Sequence, residues 1–86
     1  MNPYQETQQG EIIVRTFKKE VKDDELVWHR DKEDREVKVI KGRGWQFQRE
    51  DHLPILLREG DIIQIKKKEW HRIIKGRTDL IVEIRK

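Results

Sequence analysis

The chain contains no cysteine, no serine and no alanine. Without cysteine there are no disulfides, thiolate metal ligands or thiol nucleophiles, and without serine there is no serine nucleophile. Alanine is the best helix former, so its absence already weighs against helices. No apolar run approaches the roughly 20 residues that a membrane-spanning helix requires. The segment Met1 to Gly10 is polar and lacks the apolar h-region of a signal peptide. A cytoplasmic location and no membrane contact are expected.

What is present points to strands. The 86 residues suit one domain, expected over residues 11–86 behind a flexible arm at residues 1–10. Only 34% of residues are hydrophobic and 43% are charged, so the core must be small. A homodimer is therefore the expected partner state. Of the 29 hydrophobic residues 17 are Ile or Val, whose β-branched side chains fit a pleated surface. The net charge of +3 is spread over interspersed acids and bases. Lys66-Lys67-Lys68 is the one pure basic cluster, and a solvated turn accounts for it.

Short strand signals recur between turns. They fall at Glu11 to Val21, Leu26 to Asp31, Arg35 to Lys41, Trp45 to Arg49, around Ile55, Ile62 to Ile65, Trp70 to Ile74, and Asp79 to Arg85. Gly42-Arg43-Gly44 marks a tight turn that needs positive φ. About eight strands with turns every 8–12 residues predict an all-β sandwich, jelly roll or barrel. Side chains alternate along a strand, so Val27, His29 and Asp31 share one face. Arg35 likewise shares the face of Val37 and Val39 and should point into the barrel.

Two segments resemble the motifs of the cupin superfamily. The spacing of His29, Asp31, Arg35 and Gly42 is similar to the first motif, and that of Gly60, Lys66, Lys68 and His71 to the second. Seventeen residues separate Gly42 and Gly60, which resembles the short inter-motif loop of small cupins. The residues depart from the pattern at five positions. Asp31 stands for the second histidine, Arg35 for the glutamate, Lys66 and Lys68 for proline and glycine, and Asp23 for an upstream glycine.

The resemblance implies a double-stranded β-helix, or jelly-roll barrel, with a pocket. It implies a divalent metal (Fe, Mn, Zn or Ni) held by His29, Asp31 and His71. Two histidines and a carboxylate form a facial triad, which leaves positions open for a ligand. The His-x-Asp pair also resembles the 2-oxoglutarate oxygenases, but this chain is short for their cosubstrate-binding elements. Arg35, Gln48 and Trp70 are the candidate ligand-binding residues.

Arg35 leaves two readings open. A fixed guanidinium repels a cation, so it could pair with Asp31 in a metal-free polar network. It could instead clamp a carboxylate or phosphate beside a metal. Three functions follow: a cupin-like domain binding a metal or a small anionic ligand, a non-catalytic dimeric scaffold, or a basic barrel binding nucleic acid through Lys66, Lys67, Lys68, Arg72, Lys75 and Arg77. The even mixture of acids and bases weighs against nucleic acid. Trp28 and Trp70, each preceding a candidate histidine, should face outward into a second layer or an interface, with base or sugar stacking as the alternative. Trp45 and Phe47 should be core.

Overall fold

The computed structural model describes residues 3–85. They form eight strands: β1 (Gln5–Gln9), β2 (Ile12–Phe17), β3 (Arg35–Lys41), β4 (Gln46–Arg49), β5 (Ile55–Leu56), β6 (Ile62–Ile65), β7 (His71–Ile74) and β8 (Leu80–Arg85). One sheet has the order β1-β2-β8-β3-β6 and the other β5-β4-β7, with every pairing antiparallel. Among the described residues there is no α-helix, only a 3-10 turn at Asp23–Glu25, and no helix is long and apolar enough to cross a membrane.

The inner rows follow from alternation. Leu80, Val82 and Ile84 of β8 are buried, as are Ile63 and Ile65 of β6, Val39 of β3 and Phe47 of β4. With Phe17, Val21, Leu26, Trp45 and Leu57 they make one core. Trp45 is wholly buried, and its indole Nε1 donates to the Thr78 carbonyl at 2.7 Å. A buried indole needs such an acceptor. Gly44 has φ 81°, the left-handed region expected of that turn. Gly76 is required for a different reason. A Cβ there would collide with the Arg43 carbonyl and the Trp45 ring.

Two expectations are corrected. Residues 5–9, expected as part of a flexible arm, form β1, antiparallel to β2 with Gln9 opposite Ile12. A two-residue turn opened by Gly10 (φ 64°) makes the hairpin. All five β1 side chains are exposed, so this strand has no hydrophobic alternation to reveal it. Backbone pairing and the contacts of its neighbours hold it instead. Met1 and Asn2 of the expected arm lie outside the described residues.

The second correction is Leu26 to Asp31, which does not form a strand. It makes a single bridge in which His29 N–H donates to the His71 carbonyl at 3.0 Å and His71 N–H to the His29 carbonyl at 2.9 Å. The next carbonyl, on Asp31, turns instead to the Lys68 N–H at 2.7 Å, which ends the ladder.

Candidate metal centre

That single bridge sets the site. It fixes His29 directly opposite His71, the first residue of β7. The extended backbone then places Asp31 on the same side as His29. The loop carrying Asp31 is tied to the β6–β7 turn twice, by Lys68 N–H to the Asp31 carbonyl and by Lys67 N–H to Asp34 Oδ1 at 2.8 Å. The left-handed conformation of Lys68 (φ 62°) belongs to that turn.

His29, Asp31 and His71 converge as expected, with one ligand atom of each within 4.8 Å of the others. The two imidazole rings meet edge to face at 4.3 Å between centroids. His71 Nε2 lies 3.5 Å from Asp31 Oδ2. His29 is exposed, Asp31 half-buried, and His71 only 3% exposed.

Both rings are oriented in the same way. His29 Nδ1 bonds the Val27 carbonyl at 3.0 Å, and His71 Nδ1 bonds the Glu69 carbonyl at 2.8 Å. A carbonyl oxygen can only accept, so each Nδ1 carries its proton and each neutral ring keeps a lone pair on Nε2. This arrangement is the usual preparation of a metal-binding histidine. Burial pushes the His71 imidazole below its ordinary pKa, and the neighbouring His29 ring acts in the same direction. The Glu69 carbonyl and the carboxylates of Asp31 and Glu69 oppose that shift. The net effect favours the neutral ring that coordination requires.

The donor set therefore fits a divalent ion: two imidazole nitrogens with their tautomers set, and one carboxylate. Arg35, at the start of β3, reaches the same place. Its Nε lies 3.9 Å from Asp31 Oδ2, and this buried nitrogen has no hydrogen-bond partner among the described residues. A buried donor left unsatisfied costs about 1–3 kcal/mol.

The group opens onto a cavity in two parts. An outer mouth of about 330 Å³ is bounded by Pro3, Tyr4, Glu25, Leu26 and Val27. A deeper chamber of about 80 Å³ lies in the barrel and includes His71 in its wall. Arg15, His29, Asp31 and Arg35 line both, together with Phe17 and Ile73, and so form the neck between them.

Arg15 was not singled out by the sequence. It lies on the inner row of β2 between Ile13 and Phe17, and an arginine within an apolar alternation was the available signal. Its guanidinium is engaged by Glu6 of β1, at 2.8 Å from Nε and 2.7 Å from Nη2, and stacks 4.0 Å above the Tyr4 ring.

Gln48 and Trp70 stand apart from this cavity. They line a cleft on the outer side of β4 and β7 with Trp28, Glu50, Asp51, His52 and Leu53. The reason is strand parity: Phe47 and His71 face inward, so their neighbours Gln48 and Trp70 face out. Of the three expected ligand-binding residues, only Arg35 lines the cavity beside the histidines.

Two antiparallel sheets closed around such a cavity define a small cupin fold. Solved structures agree. The chain superimposes on a cupin-2 domain protein from Shewanella frigidimarina with a TM-score of 0.66 and 21% identity, over 94% of this chain and 76% of that one. A cupin-like protein from Thermotoga maritima gives 0.67 and 16%, over 95% and 65% of the two chains. HppE, solved as an Fe(II) form with substrate, gives 0.67 and 11%, over 94% of this chain and 51% of that one. This chain thus spans about half the length of HppE. At such identities the likeness establishes the fold. No protein-family model matches the chain, and no curated protein matches it.

Proposed function

We propose that this protein binds one divalent metal ion through His29, Asp31 and His71, with a small anionic ligand held beside it by Arg35. The observation that carries the reading is the convergence of one donor atom each from His29, Asp31 and His71 within 4.8 Å of one another. Fe, Mn, Zn and Ni are the candidate ions, and the Fe(II) form of the structurally similar HppE supports iron among them. A bound ion would supply Lewis acidity or, if redox-active, activation of oxygen. The chain's own contributions are to orient the two imidazoles, to keep His71 neutral by burial, and to offer Arg35 to an anion. A homodimer in the cytoplasm belongs to the same reading, supported by exposed Ile40, Ile55, Leu56 and Ile62. Light scattering tests the dimer.

A second reading has an observation of its own. Asp31 lies within reach of both Arg35 (3.9 Å) and His71 (3.5 Å), which would suit a metal-free polar network in a scaffold protein. Equilibrium dialysis of untagged protein against each of the four ions separates the two. The expected result is one ion per chain, with affinity at least about a hundredfold lower in His71→Ala. No bound ion, or unchanged binding in His71→Ala, would overturn the metal reading.

A further inference from the structure

The neck sorts the cavity by chemistry. On its inner side the chamber wall is apolar apart from His71, built from residues such as Val37, Val39, Phe47, Ile63, Val82 and Ile84. On its outer side lies the larger mouth, with Glu25 among its residues. The polar groups Arg15, His29, Asp31 and Arg35 form the ring between. A ligand seated in that ring and filling the inner chamber must carry its charge at one end and a short hydrocarbon at the other.

We propose that the pocket takes a short aliphatic carboxylate, with its carboxylate at Arg35 in the neck and its hydrocarbon tail in the inner chamber. This rests on the reading that the cavity is a ligand site, and it adds the class of ligand. In the ion-free pocket the charge of the neck favours a monoanion. Arg15 is already neutralised by Glu6, and Asp31 stands 3.9 Å from Arg35. The Arg35 guanidinium therefore lines the neck for the incoming group, with Glu25 in the mouth opposing a second negative charge. The chamber sets the tail. A dry cavity of about 150 Å³ accommodates the six carbons of benzene, so the 80 Å³ here accommodates about three or four. Butanoate and pentanoate meet both conditions.

The test is an NMR titration of the isotope-labelled full chain with acetate, propanoate, butanoate, pentanoate, hexanoate and octanoate, and with inorganic phosphate. It is run once in chelator and once with diamagnetic Zn(II). Affinity should rise about fourfold per methylene up to butanoate or pentanoate and fall beyond. The shifts should concentrate on the methyl groups of Val37, Val39 and Ile63. Arg35→Gln should weaken the best ligand about tenfold or more. Val37→Ile, which adds one methylene to the chamber wall, should move the optimum one carbon shorter, a shift that general loss of structure would not produce. A flat dependence on chain length, phosphate binding as tightly as the best carboxylate, or an optimum unmoved by Val37→Ile would overturn the proposal. An optimum that persists in chelator while none of the four ions binds in the dialysis would sink the metal reading alone. Zn(II) binding without a chain-length optimum would sink this inference alone.

Discussion

The two faces of β4 and β7 present similar residue types and put them to opposite uses. On the outer face the Trp28 ring lies under the Arg72 guanidinium at 4.8 Å and the Trp70 ring under Arg30 at 5.2 Å. Gln48 accepts from Arg72 Nε at 2.8 Å and donates to the His52 carbonyl at 2.9 Å. The groups that looked ready for a ligand are occupied by their own neighbours. Across the inner cavity Arg35 of β3 keeps a buried N–H without a partner among the described residues, and His29 and His71 keep lone pairs directed by carbonyls two residues upstream. Capacity for a ligand lies where polar groups are held in place yet left incompletely satisfied, and this distinguishes the inner cavity from the outer cleft better than the number of aromatic or charged residues does.

Replacing the same residue type on each face sharpens that contrast. Trp45→Ala, in the core, should destabilise the protein by about 3–5 kcal/mol in chemical denaturation. A loss below about 1 kcal/mol would mean that the core is not built around this ring. The next effect is acid sensitivity. The folded state holds the His71 pKa below its ordinary value of 6.5, so the unfolded chain binds more protons between the two values. Stability from the neutral ring is present above pH 6.5 and declines as pH falls toward the folded value. Denaturation in chelator should show this slope in the wild type, and His71→Gln should flatten it; an equal slope in both would assign the titration elsewhere. The smallest effect belongs to the outer face. Trp70→Ala should cost about 0.5–1 kcal/mol, the scale of an exposed cation–π contact. It should leave metal affinity unchanged, and a large fall in metal binding would erase the distinction between the faces.

Much of the barrel was legible because Ile and Val alternate along β3, β6 and β8, and because glycines mark the turns. His29, Asp31 and His71 were legible from their resemblance to a known spacing, and strand parity correctly placed Arg35 inside and Trp28 and Trp70 outside. Three features were not legible. Gln5–Gln9 pairs through its backbone, which leaves no pattern in side-chain hydropathy. The segment around His29 has strand-like residues, but its backbone partners lie in two different places, on His71 and on Lys68, and only the folded chain reveals that. Gln48 carries no mark of which groups will consume its amide. Arg15 could have been found, since a charged residue on an otherwise apolar row is rarely buried without a partner.

The grip of Glu6 on Arg15 ties the electrical character of the cavity to the beginning of the chain. A version of the protein trimmed past Gln9 would unmask a second cation at the throat, and a barrel suited to singly charged acids would then attract doubly charged ones. Under the proposed ligand class, cleavage past Glu6 would therefore change selectivity as well as length.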